Sequence, residues 1–192
     1  MNLIEQLHQG NTRANRDRIA HWIGTDARRF ADLMRVYLLG DIREAQLAAG
    51  VLFSSFEFHP ELLSPWLPKV VRRMDEEGVH PAVRRFGVWA LQCIEIPRSL
   101  QGRVTDACFR YLSDPTEPIA IRAFAMTVLA RIAEAEPELT RELRQTIDSI
   151  LPYGTAAALR ARAGHVLKRL EKLKSTNAQK ATKRDPRAKP PY

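Results

Sequence analysis

Three arginines recur at one position of a repeat and are the most suggestive chemical groups in the sequence. Arg84, Arg122 and Arg160 follow one another at intervals of 38 residues, and each comes directly after an aliphatic residue. A guanidinium is always charged and donates in a fork that matches carboxylate and phosphate geometry. A row of such groups could therefore bind a phosphate backbone or an acidic peptide. A structural role between neighbouring repeats is the alternative, and the sequence leaves both open.

Further residues that favour binding lie close to these arginines. Trp89 stands beside Arg85 and Gln92 on a predicted helix, and His165 occupies the position of Trp89 two repeats later. Tryptophan and arginine are frequent at the energetic centres of protein interfaces, although Trp89 could equally be a partly buried packing residue. We predict a partner-binding surface made of the following residues: Arg84, Arg85, Trp89, Gln92, Arg122, Arg160 and His165.

Groups that would support catalysis or metal binding are scattered. The sequence has no GxxxxGK[ST] or GxGxxG phosphate loop and no GxSxG nucleophile motif. Glu57 and His59 form the only tight pair of metal-ligand type, and they precede Pro60, where a charged helix end is expected. Cys93 and Cys108 stand in apolar segments, which predicts reduced and buried thiols. We expect no catalytic residue, no cofactor and no metal, and therefore a protein that is not an enzyme.

The elements that position these groups repeat along the chain. With a shift of 38 residues, five columns stay apolar or small through four copies, and the spacings within a copy are three and four. Those are helix spacings, and glycine or proline interrupts each copy between its two helices. The predicted fold class is all-α, with residues 1–24 as an N-terminal helical cap. About four helix pairs follow, at residues 25–58, 60–95, 97–134 and 136–171.

The chain resembles HEAT repeats, in which the second helix opens with an aliphatic–arginine pair. Here that pair is Val83-Arg84, Ile121-Arg122 and Leu159-Arg160. The resemblance covers about residues 25–171 and implies a right-handed α-α superhelix, a HEAT-like solenoid whose concave surface is lined by the second helices. The chain is also similar to a group of bacterial HEAT-like proteins that are sometimes labelled adenylosuccinate lyase. It lacks the serine-rich mobile loop of those lyases, so we do not expect that activity.

The net charge is concentrated at one end of the chain. The sequence carries 30 Lys and Arg against 22 Asp and Glu, a formal charge of +8. Residues 172–192 hold seven basic groups, one acid and three prolines, which predicts a disordered basic tail. Residues 1–171 are close to neutral, which weakens the case for a basic binding domain.

Two functions are compatible with these observations. The favoured one is a non-catalytic scaffold that binds a protein or peptide partner on the surface of its second helices. The alternative is a nucleic-acid binder that resembles DNA-alkylation-repeat proteins and uses an arginine-rich groove and the basic tail. The sequence has no run of about 18 apolar residues and no signal-peptide pattern, so we expect a cytoplasmic protein without a membrane partner.

Overall fold

The computed structural model describes residues 1–134, 136–151 and 156–184, and the side chains of residues 1–134, 136, 138–151 and 156–172. Within these ranges the chain forms ten α-helices and one 3₁₀ helix, and no strand. The all-α fold class is therefore confirmed. The α-helices are α1 (Leu3–His8), α2 (Arg13–Ile23), α3 (Ala27–Leu39), α4 (Ile42–Phe58), α5 (Leu67–Met74), α6 (Pro81–Cys93), α7 (Arg98–Ser113), α8 (Ile119–Ala133), α9 (Pro137–Ile150) and α10 (Ala157–Arg184). The 3₁₀ helix, Pro60–Trp66, leads directly into α5.

Side-chain caps set the start of several helices. The Asp41 carboxylate accepts from the backbone N–H of Glu44, and the Glu44 carboxylate accepts from the backbone N–H of Asp41. This capping box satisfies two N–H groups that a helix start leaves without an intrahelical partner. Thr12 and Asp26 cap α2 and α3 through their side-chain oxygens. Local sequence therefore defines the short turns that keep consecutive helices adjacent.

The chain divides into two compact units, an N-terminal unit of residues 1–110 and a C-terminal unit of residues 111–192. In the N-terminal unit α4 is the central helix, because it packs against α2, α3 and α6, and α6 also packs against α5. In the C-terminal unit α8 packs against both α9 and α10. Within each unit, the second helices of consecutive pairs therefore pack against each other: α4 packs against α6, and α8 packs against α10. The residue limits given above for the cap and the single repeats stay predictions.

The core of the N-terminal unit is apolar and closely packed. Tyr37, Leu52 and Phe86 are among its largest fully buried side chains. The Tyr37 hydroxyl donates to the backbone oxygen of Val83 at 3.0 Å, so its buried polar atom has a partner. The same bond joins the first helix of one pair to the second helix of the next, which locks α3 to α6.

Two buried glycines allow other elements to approach the second helices closely. A Cβ atom at Gly50 would lie 2.7 Å from the side-chain oxygen of Asn11, and one at Gly87 would lie 3.0 Å from the Met74 side chain. Neither distance leaves room for a methyl group without a shift of the neighbour. Close packing therefore explains the glycine at both positions.

Helix α10 is longer than the sequence analysis predicts. It continues to Arg184, whereas the disordered tail was expected to begin at Lys172. Residues 172–184 contain no proline or glycine, and nine of the thirteen are Lys, Ala, Leu, Gln or Arg, which favour helix. The prolines of the expected tail all come later, among residues 185–192, which lie outside the described residues.

None of the helices in the part of the chain that the structure describes combines the length and the apolar content that crossing a bilayer requires.

Candidate partner-binding surface

An aromatic cluster underlies the predicted surface on α6. The centroid of the Trp89 ring lies 4.7 Å from that of Phe53, 5.1 Å from that of Phe56 and 6.2 Å from that of Phe86. Tilted and edge-on ring pairs at these distances are favourable. Trp89 and Phe53 are half-buried, whereas Phe86 is fully buried. The cluster therefore joins α4 to α6 and leaves an aromatic edge at the surface.

Two polar side chains border this aromatic edge. Arg85 is exposed, and its guanidinium carbon lies 5.7 Å from the centroid of the Phe53 ring, within range of a cation–π interaction. The side-chain nitrogen of Gln92 donates to the backbone oxygen of Trp89 at 3.4 Å. Spacings of four and three place residues 85, 89 and 92 on one side of the helix. The structure thus brings three predicted residues together, and we call Arg85, Trp89 and Gln92, with Phe53 beside them, the α6 face.

Arg84 lies on a different side of α6 from Arg85, Trp89 and Gln92, and Arg122 is the equivalent residue of α8. Both have a structural role. The Nε atom of Arg84 donates to the backbone oxygen of Met74 at 3.2 Å, and that of Arg122 donates to the backbone oxygen of Leu112 at 3.1 Å. Each acceptor lies in the last turn of the preceding helix, where carbonyl groups lack an intrahelical partner and a positive charge is favourable. In these two pairs the recurring arginine therefore bonds to the first helix of its own pair.

Arg160 and His165 lie on α10 in the C-terminal unit, and both are exposed. Lys168 and Lys172 are exposed on the same helix, three and seven residues after His165, and these spacings place all three on one side of α10. None of the side chains described on α10 is Phe, Tyr or Trp. This surface is therefore cationic, and it differs from the aromatic surface on α6.

A cleft of about 580 Å³ between α5 and α7 in the N-terminal unit is a feature that the sequence analysis missed. Three arginines, three carboxylate side chains and Gly102 line it. Arg110 forms an ion pair with Asp75 across the cleft, and Arg73 holds Glu76 with a nitrogen–oxygen distance of 2.6 Å. The apolar columns of the repeat mark buried positions and carry no information about this surface. A glycine in the middle of a helix was the one signal in the sequence.

A polar pair joins α2 to α4. The Ser54 hydroxyl donates to the Asp17 carboxylate at 2.7 Å, and Ser54 is only 6% exposed. This hydrogen bond, together with the nearby Arg13 and Arg16, lowers the pKa of the Asp17 carboxyl below its usual value. The pair anchors the N-terminal helices to the central helix of the unit.

The remaining candidates for chemistry are not brought together. Cys108 is fully buried, and burial raises the pKa of its thiol. Cys93 is exposed, so the prediction that both thiols are buried is wrong for it, because it is the last residue of α6. The Nδ1 atom of His59 lies 3.2 Å from the Oε1 atom of Glu61 at the start of the 3₁₀ helix. Among the described residues, no group of three or more His, Cys, Asp or Glu side chains could hold a metal ion.

A family model described as HEAT repeat domain matches residues 3–170 of the chain. No curated protein and no solved structure matches it. Similarity to the bacterial proteins labelled adenylosuccinate lyase therefore stays a prediction. Helical repeats of this type present extended surfaces that are suited to binding.

Proposed function

The chain belongs to the HEAT repeat domain family, and we propose that it is a non-catalytic scaffold that binds a protein or peptide partner. The observation that supports this most is the α6 face, where a half-buried Trp89 lies beside the exposed Arg85. Protein interfaces are enriched in tryptophan and arginine, and such residues carry most of the binding energy when they lie at the centre of a contact.

The Trp89 ring is already held in place. It contacts Phe53, Phe56 and Phe86, so a partner that packs on its exposed edge does not have to order a mobile side chain. Immobilising a flexible side chain on binding costs about 1 kcal/mol. A rigid aromatic edge beside a cation therefore favours a partner that presents an apolar residue to Trp89 and a carboxylate to Arg85.

The charge of the N-terminal unit favours protein over nucleic acid at this face. Residues 1–110 contain 15 Lys and Arg against 13 Asp and Glu, so the unit is close to neutral. Binding to a phosphate backbone depends on several cations that displace counterions. The unit that carries the α6 face offers no such excess of positive charge.

Both cysteines are free, which agrees with a reducing compartment such as the cytoplasm.

Affinity capture from the source cell tests the proposal. The double variant Arg85→Ala/Gln92→Ala removes the polar border of the α6 face and keeps the contacts between the aromatic rings. Arg43→Ala/Gln46→Ala is the matched control, because these two residues form an exposed arginine–glutamine hydrogen bond of 2.9 Å at the start of α4. We expect the α6 variant to recover at least about tenfold less partner protein than the wild type, and the control to recover as much. Equal recovery by both variants, with unchanged circular dichroism, contradicts the proposal.

Nucleic-acid binding is a second candidate, and the length of α10 favours it. Residues 172–184 continue the helix with five basic residues and no acid. A cationic helix attracts a phosphate backbone, and such binding weakens steeply as salt increases. Titration of duplex and single-stranded oligonucleotides over a salt series, with and without residues 172–192, tests it. Absence of binding at low salt rules this candidate out.

A further inference from the structure

The cleft between α5 and α7 contains two arginines that the fold does not use. Arg72 and Arg103 are exposed and line the cleft. The structure gives neither of them an ion pair or a side-chain hydrogen bond with any described residue. By contrast, Arg110 is paired with Asp75, and Glu76 is paired with Arg73. Two guanidinium groups are therefore available on opposite helices of one open cleft.

Gly102 lies on the same cleft and has no packing reason to be glycine. It is in the interior of α7, where glycine is less favourable than alanine. A Cβ atom at this position would meet nothing within 4 Å in the part of the chain that is described, unlike those at Gly50 and Gly87. A glycine on an open helix surface leaves the backbone accessible to a segment that lies directly against it.

We propose that this cleft binds an acidic segment of a protein partner. The backbone of the segment lies against Gly102, and Arg72 and Arg103 hold its carboxylates through charge-assisted hydrogen bonds. Asp106, which lines the cleft one turn after Gly102, accepts from N–H groups of the same segment. Because α5 and α7 carry none of the α6 face, this is a second binding site that does not depend on the function proposed above.

The mixed charge of the lining favours a peptide over a nucleic acid. Three carboxylates balance the three arginines, so the cleft as a whole attracts no polyanion. A phosphate backbone would bring successive negative charges close to Asp106 and has few donors to offer it. A peptide provides acidic side chains for the arginines and N–H donors for Asp106, which matches both signs of the lining.

Fluorescence anisotropy with a short labelled peptide that carries two glutamates separated by glycine tests the proposal on the full chain. Arg72→Ala/Arg103→Ala removes the two arginines that hold the peptide in the proposal, and Gly102→Leu fills the cleft from a position with open space. The controls are Arg28→Ala/Arg43→Ala for the loss of exposed arginines and Gly164→Leu, because a Cβ at Gly164 on α10 also meets nothing within 4 Å of described residues. A third control, Lys180→Ala/Lys183→Ala/Arg184→Ala, measures how much the basic end of α10 contributes to binding of the peptide.

We expect both cleft variants to lower the affinity for this peptide by about tenfold or more, and all three controls to stay within about twofold of the wild type. Circular dichroism establishes that each variant is folded, and the double arginine variant carries the test if Gly102→Leu does not fold. Unchanged affinity in the cleft variants, loss confined to the α10 variant, or no binding by the wild type overturns the proposal. Tighter binding of a single-stranded oligonucleotide that the cleft variants abolish also overturns it.

Discussion

Helices α6 and α10 hold equivalent places in the repeat, yet their surfaces differ in chemistry. Arg85, Trp89 and Gln92 on α6 correspond, 76 residues later, to Ala161, His165 and Lys168 on α10. The first set contributes Trp89 to an aromatic cluster, whereas the second is exposed and contains no Phe, Tyr or Trp. The apolar columns that define the repeat are kept in both helices. The comparison shows that equivalent helices of the repeat keep the same apolar columns while their exposed faces carry different side chains.

Helix α8, the second helix of the intervening pair in the sequence, has a third kind of side chain at this position of the repeat. Thr127 of α8 corresponds to Trp89 and to His165, and its hydroxyl donates to the backbone oxygen of Ala123 in its own helix at 3.1 Å. The O–H donor of this threonine is therefore used within its own helix. Position in the repeat alone therefore does not identify a binding residue.

The largest expected effect comes from removing the aromatic anchor. Trp89→Ala removes three ring contacts, and we expect a loss of about 3 kcal/mol in the free energy of unfolding. The equivalent His165→Ala on α10 should change it by less than about 0.5 kcal/mol, because the side chain is exposed. Urea unfolding followed by far-ultraviolet circular dichroism measures both. Equal effects at the two positions would remove the distinction between the two faces.

The next effect separates adjacent arginines on α6. Arg84→Ala removes the hydrogen bond to the Met74 carbonyl at a helix end, and we expect a loss of about 1 to 2 kcal/mol in the free energy of unfolding. Arg85→Ala should cost less than about 0.5 kcal/mol, because Arg85 is exposed. The same unfolding measurement compares them, and Arg122→Ala should behave as Arg84→Ala does. A larger loss for Arg85 than for Arg84 would contradict the assigned roles.

Replacing glycine by alanine should change the stability of the fold by a smaller amount, with opposite signs at a packed glycine and at an open one. Gly87→Ala places a methyl group 3.0 Å from Met74 and should destabilise the fold by about 1 kcal/mol. Gly102→Ala meets no described atom within 4 Å and should stabilise the fold by about 0.5 to 1 kcal/mol. Thermal melts of both variants test this. Destabilisation by Gly102→Ala would show that the fold itself needs this glycine and would count against the binding site proposed in the cleft between α5 and α7.

The smallest effect is confined to acid and concerns the attachment of α2 to α4. Since the pKa of Asp17 is lower in the folded chain, its ionised form stabilises the fold above the usual carboxyl pKa of about 4. This stabilisation is lost as pH falls through the folded pKa. The difference in unfolding free energy between wild type and Asp17→Asn should therefore be largest near neutral pH and shrink below about pH 4. A difference that is independent of pH would show that the charge of Asp17 has no role.

The repeat was readable from the sequence because burial imposes a period. The apolar columns and the Gly and Pro breaks predict the all-α class, and capping residues such as Asp41 mark a helix start. The direction of a side chain was not readable, since spacing shows that Arg84 and Arg122 recur without showing that each reaches back to the preceding helix end. The α5–α7 cleft was missed because it joins positions about thirty residues apart, and exposed residues carry no periodic signal.

Site-specific photo-cross-linking in the source cell tests the central claim most directly. A photoreactive amino acid is placed at Gln92 on the α6 face and, in a separate variant, at the equivalent Lys168 on α10. We predict that a discrete protein adduct forms from position 92 and not from position 168. Absence of any protein adduct at position 92, or the same adducts from both positions, would contradict the assignment of the α6 face as the partner-binding surface.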